Sequence, residues 1–345
     1  MMKIAVLNAG SSSLKFKLFS MPEGEVLRSE LIEHIGEENA SFKTHKEALE
    51  SLKIDFKSLD AIGHRVVHGG EKLSESVLID EDVMNEIENL IPLAPLHNGA
   101  NLEGIKVAIE VSETPQVAVF DTAFHSTMPK ESFLYALPME MYEKYKIRRY
   151  GFHGTSHSFV AKAAADVLEK PLNKLNLITI HLGNGASICA IKDGKSIDTS
   201  MGFTPLEGLV MGSRSGDIDP AIVLYMQREL MLSVNEVDTI LNKKSGLLGI
   251  CHENDVREIL KSTDENAKLA LSMMIRRIQK YMGSYMALLG EVDAFVFTGG
   301  IGENSEYIRE QILNSLMFQA IKSLVIETNE EFEIANETLK VLHKG

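Results

Sequence analysis

Cysteine is nearly absent: the 345 residues hold two, Cys189 and Cys251. They stand far apart and without the spacing of a metal-ligand pair, which leaves no disulfide framework and predicts reduced thiols in a cytosolic protein. Positive charge is short as well, 35 Lys and Arg against 49 Asp and Glu. The formal net charge of −14 excludes nonspecific nucleic-acid binding and a polybasic membrane surface. Long apolar runs are missing. The longest are strand-length, so no segment is expected to cross a membrane, and the N-terminus lacks the basic segment, apolar stretch and cleavage site of a secretory leader. No Cys/His cluster suggests zinc. No GxxxxGK[ST] sequence leads into a helix, which excludes an ordinary nucleotide P-loop. The expected location is cytoplasmic, with neither nucleic acid nor membrane as a partner.

At this length the chain can form two domains with separate cores, and three glycine-rich sites organise it. The first is NAGSSS, Asn8 to Ser13. It follows the apolar strand Ile4 to Leu7 and precedes LKFKLF, where Leu14, Phe16 and Leu18 alternate with Lys15, Lys17 and Phe19. A period of two predicts a strand, hence a tight hairpin whose tip is rich in N–H groups and hydroxyls. That tip reads equally as an ordinary turn or as an anion-binding one. The second site lies in LITIHLGNGASICAIKDGKSIDTS, residues 177–200. Its strand, glycine turn, strand, DG turn, strand order repeats the order at the N-terminus and suggests a duplicated domain of α/β class. The third is VDAFVFTGGIGENS, residues 292–305, a buried strand leading through GGIGEN to a helical stretch. Two phosphate-type hairpins and a strand–GGIGEN–helix together are the pattern of the actin/Hsp70/sugar-kinase type of fold.

Residues suited to chemistry sit at strand ends and in loops. AIGHRVVHGG carries Arg65 between two histidines, and QVAVFDTAFH is an apolar strand ending on Asp121, an expensive place for an unpartnered carboxylate. RRYGFHGTSH is expected to be a loop before a helix from Phe159 to Leu168, and VMGSRSGDIDP presents Arg214 among small residues. Singly, each has an ordinary structural account: a salt bridge for Arg65 and Asp121, a helix cap around Thr155 and Ser156, a turn at Asp217–Pro220. The fourfold repeat of Met274, Ile278, Met282 and Met286 predicts a helical face serving as core or subunit interface. The acidic run 79–91 predicts a solvated amphipathic helix.

NAGSSSLKF, GHRVVHGG, PLHNGAN, FDTAFHSTMP, RYGFHGTSH, HLGNGAS, DTSMGFTPLEGLVMGSRSGDIDP, DVRE, FTGGIGENS and TNEE, in that order, make the chain resemble the acetate kinase (acetokinase) family from end to end. The resemblance implies two actin-like (ribonuclease H-like) domains with an interdomain nucleotide cleft and a duplicated β-β-β-α-β-α-β-α core. It implies an N-terminal domain over 1–122 completed by about 328–345, and a nucleotide-binding, dimer-forming domain over 123–327. The implied reaction is reversible, in-line phosphoryl transfer from ATP to acetate, giving acetyl phosphate and ADP. A propionate or short-chain acyl kinase with the same machinery is the nearest alternative, an actin-like nucleotide switch a more distant one. Two departures stand out. The chain runs short after HIGEENA and again near LMFQAIKSLVIETNEE, and Gly99 stands where the family commonly has Pro.

Site roles also follow from the resemblance. It implies Asp121, His153 and Arg214 as catalytic residues, with Arg65 binding the acid and Val67, Leu96, Phe152 and Pro205 around its methyl group. It implies ATP contacts from Lys15, from the loop His181, Leu182, Gly183, Asn184 and Gly185, from Asp255, Val256 and Arg257, and from Gly300, Ile301, Gly302, Glu303 and Asn304. Asn8 and Glu330 match positions associated with Mg²⁺, with Mn²⁺ as an alternative, and the family assembles as a homodimer. Physical chemistry favours arginines where two anions must meet, because the planar fork grips carboxylate or phosphate through two donors. It argues against Asp121 as a base: a carboxylic acid with a pKa of roughly 4.3 is already ionised at neutral pH.

Overall fold

The computed structural model describes residues 1–37, 40–95 and 97–344, so Leu96 lies outside the described residues. The chain forms two compact units. Unit 1 comprises Met1–Ser126, Gly154–Phe159 and Asn329–Gly345; unit 2 comprises Thr127–His153 and Val160–Thr328.

The sheet of unit 1 is built from β1 (Met2–Ala9), β2 (Leu14–Met21), β3 (Glu25–Ile32), β4 (Ala61–Val66), the two-residue β5 (Val77–Leu78) and β6 (Gln116–Phe120), in the order β3-β2-β1-β4-β6-β5. Both of its faces are covered, which is why its inner strands are apolar throughout. Side chains alternate between the faces. Ala5, Leu7 and Ala9 join one core with Leu14, Phe16 and Ile62, while Ile4 and Val6 join another with Phe19, Met21, Ile334 and Ala335. The latter two belong to the helix Glu330–Lys344, and Gly63 of β4 is a glycine because a Cβ there would strike the Thr338 hydroxyl of that helix. The alternation expected of LKFKLF breaks at Leu18: Phe19 is fully buried and Leu18 is not. A β-bulge between Leu18 and Phe19 shifts the register, and each residue serves a different core. The NAGSSS turn closes as expected, Gly10 N–H donating to Ser13 O over 2.8 Å. The acidic run forms the helix Glu81–Asn89, capped by Asp80. Gly99 lies in the first turn of the helix Asn98–Val111 with open space around it, a position where proline is equally at home.

Unit 2 repeats the plan with β7 (Asn176–Leu182), β8 (Ala186–Lys192), β9 (Lys195–Thr199), β10 (Ala294–Thr298) and β11 (Lys322–Val325), in the order β11-β10-β7-β8-β9. As in unit 1, the first three strands pair antiparallel and the next two add in parallel. Two sheets of one strand order bear out the duplicated α/β core. The short stretch near 318 still supplies a helix, Leu316–Gln319, and the edge strand β11. The long helix Glu265–Leu289 buries Met274, Ile278 and Met282, so the methionine stripe is core.

Two motifs expected as loops are helical. GGIGEN is itself the helix Gly299–Asn304, and Ser305 then caps Glu306–Leu313. The helix expected from Phe159 begins at Gly154, where Gly154 N–H donates to Asp121 O over 2.9 Å and any Cβ would collide with that carbonyl.

Candidate active site

In unit 1 the parallel pairing of β4 and β6 sets Arg65 beside Val119, so the residue just past the end of β6, Asp121, comes within reach of its guanidinium. Arg65 Nε lies 3.1 Å from both oxygens of Asp121 and Nη2 lies 2.7 Å from Oδ2. Asp121 is 1% exposed, and this fork is the partner its burial demands. Glu330, opening the last helix, approaches the same guanidinium at 3.6 Å. Burial alone would push the Arg65 pKa down, but Asp121 and Glu330 hold it above the ordinary value. The Thr155 hydroxyl stands between the carboxylates, 3.2 Å from Asp121 Oδ1 and 3.3 Å from Glu330 Oε2. It is a member of the cluster rather than a helix cap, a role that only the fold reveals.

The two glutamates of TNEE divide. Glu331 takes Lys15 at 2.5 Å and Lys17 at 3.2 Å; burial pushes its carboxyl up, and the two lysines outweigh that and hold it below the usual range. Asn8 is the ladder partner of Lys15. Val67 is buried, with its N–H donating to Asn101 Oδ1 over 3.1 Å, and Asn101 Nδ2 donates to Ala9 O over 2.7 Å. Asn98 bonds both the N–H and the carbonyl of His68. The PLHNGAN motif thus pins GHRVVHGG to the end of β1. Among the described residues no group of three or more His, Cys, Asp or Glu could hold a metal alone. Glu330, 20% exposed, is suited to the lesser task of sharing a Mg²⁺ with phosphate oxygens and water.

In unit 2 the hairpin between β7 and β8 is closed by Gly183 N–H donating to Gly185 O over 3.0 Å. His153 has left-handed backbone, φ 57°, a strained conformation for a residue with a side chain. Its ring stacks on His181 at 4.4 Å and its Nδ1 lies 2.9 Å from the Ser187 hydroxyl. Phe152 beside it is buried. Arg214 donates to Pro205 O over 3.0 Å and lies near Met211 Sδ. Among the described residues no carboxylate pairs with it, and burial lowers its pKa. Above Gly185, a point where a Cβ would stand is 3.6 Å from His153 Nε2 and 3.7 Å from Arg214 Nη2. Two donors therefore converge on a glycine hairpin with no counter-charge, an arrangement that takes an anion.

A pocket of about 600 Å³ opens next to this hairpin, lined by Gly183 and Asn184, by Asp255 to Arg257, and by Gly300, Ile301 and Asn304. Three separate sequence motifs meet there, joined by Asn254, Leu260 and Ser305, which the sequence did not single out. The Asp255 carboxyl is drawn down to about 2 by hydrogen bonds from Arg257. Leu182 and Gly302 are buried, and the Glu303 carboxylate accepts from Gly299 N–H, the Thr298 hydroxyl and Thr328 N–H. Glu303 is a brace for the glycine turn and not a wall of the pocket.

Residues 3–56 and 48–339 match the model of the Acetokinase family. An acetate kinase of Sulfurimonas denitrificans is 51% identical over 387 aligned residues, which take in 99% of this chain and 100% of that protein. The aligned length exceeds the 345 residues of this chain, so that relative carries internal stretches that are missing here. Among solved structures, a Porphyromonas gingivalis acetate kinase superposes with a TM-score of 0.92 at 40% identity, covering 99% of this chain and 100% of that one. A Francisella tularensis propionate kinase superposes with a TM-score of 0.92 at 46% identity, covering 98% and 99%.

Proposed function

The chain belongs to the acetokinase family, and from that premise we propose that it transfers the terminal phosphoryl group of ATP to acetate, reversibly and in line, giving acetyl phosphate and ADP. The observation that carries this reading is Arg214 and His153 converging over Gly185 without a counter-charge. Phosphoryl transfer to a carboxylate brings two anions together, so positioning and charge neutralisation dominate its catalysis. Arg214 would meet charge that develops on the transferring group, and His153 would donate from Nε2 to one of its oxygens. The ring is held for that by Ser187 at Nδ1 and by stacking on His181. Nucleotide would occupy the pocket of Gly183, Asn184, Asp255, Val256, Arg257, Gly300, Ile301 and Asn304.

Arg65 would bind the acid's carboxylate. Asp121 grips Arg65 with both oxygens and is proposed as its organiser, since acetate needs no base at neutral pH. Glu330 with Asn8 would hold the Mg²⁺ that accompanies the nucleotide, Mn²⁺ serving the same oxygens; the ion supplies charge neutralisation at the phosphates. Lys15, tethered to Glu331, would add a cation to the phosphate end. We also propose the domain division 1–122 with about 328–345 against 123–327, a homodimer formed by the second part, and a cytoplasmic location.

The likeness to a propionate kinase supports a second reading in which a longer acid is the preferred substrate. A hydroxamate assay for acyl phosphate with acetate, propionate and butyrate decides between them. Acetate is expected to lead, with neighbouring acids separated by about 1–3 kcal/mol, roughly tenfold to two-hundredfold. Val67→Ala, which opens a buried wall beside Arg65, should raise propionate relative to acetate in kcat/KM. An unchanged acid preference would remove Val67 from the acyl site, and no acyl phosphate from any acid would remove the reaction itself.

A further inference from the structure

The stretch from Ser200 to Asp219 runs between β9 and the helix Pro220–Arg228 without regular structure, and it carries both Pro205 and Arg214. A loop of that length inside a compact unit is unusual. Its order must come from side chains. Two polar clusters supply it, each anchored on elements outside the loop.

The first grips Glu207. Arg149 Nη2 reaches Glu207 Oε1 at 2.6 Å, Nη1 donates to Thr199 O at 2.8 Å, and the Tyr135 hydroxyl binds Glu207 Oε2. Tyr135 Oη also accepts from Phe203 N–H at 2.9 Å. Gly202 completes the fit, since a Cβ there would overlap the Glu207 carboxylate and the Tyr135 hydroxyl.

The second cluster grips the neck of the loop. Gly208 N–H donates to Asp217 Oδ1 at 2.8 Å and Asp217 N–H donates to Gly208 O at 3.0 Å, closing the loop on itself with Arg214 in the enclosed lobe. The backbone at Gly208 has φ +108° and at Gly216 φ +66°, with neighbouring carbonyls too close for any side chain. From the helix Glu265–Leu289, Arg277 donates to Gly208 O at 2.8 Å and to Asp217 O at 3.2 Å, while the Tyr281 hydroxyl donates to Asp217 Oδ2 at 2.8 Å. Arg277 and Tyr281 are four apart and so share one helical face.

From these contacts we infer that Tyr135, Arg149 and Glu207, with Asp217, Arg277 and Tyr281, are positioning residues: two ionic clamps that hold Arg214 at its place over Gly185. Arg214 itself is tied only to the carbonyl of Pro205 and to Met211 Sδ, both within the loop, so its guanidinium is located only as well as the loop is. A misplacement of about 1 Å can cost on the order of a hundredfold in rate. The inference rests on the reading of the protein as an acyl kinase, in which Arg214 meets transition-state charge.

The test compares Tyr281→Phe, Glu207→Gln and Arg277→Lys with the native protein. Measured are kcat, the KM for ATP, and calorimetric affinities for ADP alone and for Mg²⁺, ADP, acetate and aluminium fluoride together, a mimic of the transferring phosphoryl group. Tyr281→Phe and Glu207→Gln should lower kcat tenfold or more and weaken the mimic by a like factor, with the KM for ATP and the affinity for ADP within twofold of native. Arg277→Lys, which keeps the charge, should retain more activity than Arg277→Ala. Native kcat in Tyr281→Phe and Glu207→Gln, or an equal loss of ADP affinity, overturns the clamps. A native protein that makes no acyl phosphate overturns the acyl-kinase reading instead, whatever the variants do.

Discussion

Asp121 is caught between two roles that make different predictions. As a base it would be indispensable, worth roughly 10²–10⁴ in rate. As the partner of Arg65, bound through both of its oxygens, its loss should instead loosen the acid and the metal. Asp121→Asn should therefore keep a measurable rate, raise the acetate KM by tens of fold, in keeping with the ~2–5 kcal/mol that follows removal of one member of a buried charge pair, and shift the Mg²⁺ dependence. An inactive variant that binds acetate, Mg²⁺ and nucleotide normally would count against the organiser. One residue before Arg65, His64 is 2% exposed and lies 2.7 Å from Gln116 Oε1, so the ring N–H at Nε2 donates to the amide oxygen. Burial lowers its pKa to about 4. The unfolded chain, with an ordinary value near 6.5, binds this proton more readily than the folded one, so stability is full above pH 6.5 and declines as pH falls toward 4. The loss reaches at most about 3 kcal/mol. Urea midpoints at pH 5 and 7.5 should differ, and His64→Asn should narrow the difference; equal narrowing by no substitution here would assign the effect to other groups.

At the scale of the element, the hairpins were open to reading because their signals are local. Alternation in LKFKLF and the glycines of NAGSSS and HLGNG follow from backbone sterics and a period of two. The helical state of GGIGEN was not, since glycine disfavours helix and only the Glu303 carboxylate beneath the turn compensates. Asp121 announced a partner by its apolar surroundings, whereas Thr155, Glu207 and Tyr281 did not, because their partners are set by strand order and helix docking across tens of residues. The β7–β8 hairpin carries its own prediction. A methyl group on Gly185 would stand at ordinary van der Waals distance from His153 and Arg214, 3.6 and 3.7 Å, so Gly185→Ala should fold with a melting temperature close to native. It would occupy the space where an anion meets both donors, and turnover should fall by about two orders of magnitude, the scale set by loss of an oxyanion donor. Near-native kcat in a well-folded Gly185→Ala would place the transferring group elsewhere.

Over the whole molecule, surface chemistry bears on the proposed homodimer. The segment from Pro220 to Val234 leaves Leu224, Tyr225, Leu230, Met231 and Val234 exposed, Met231 to 80%. A contiguous apolar surface of this kind marks an interaction site, while the methionine stripe that first suggested one is core. Tyr225→Asp, which puts a charge into that surface without touching the pocket, should shift light-scattering mass from dimer to monomer at micromolar concentration. A native protein that scatters as a monomer would end the proposal. The order in which the chain is made adds a further consequence. Unit 1 is discontinuous, and the helix Glu330–Lys344 that seals Ile4, Val6, Phe19 and Met21 is synthesised after nearly all of unit 2. During translation, at roughly 5–20 residues per second, the first-made sheet must wait for the last-made helix with one apolar face bare. The N-terminal third of the polypeptide is therefore the part of the newborn chain most in need of shelter, although it is the first to leave the ribosome.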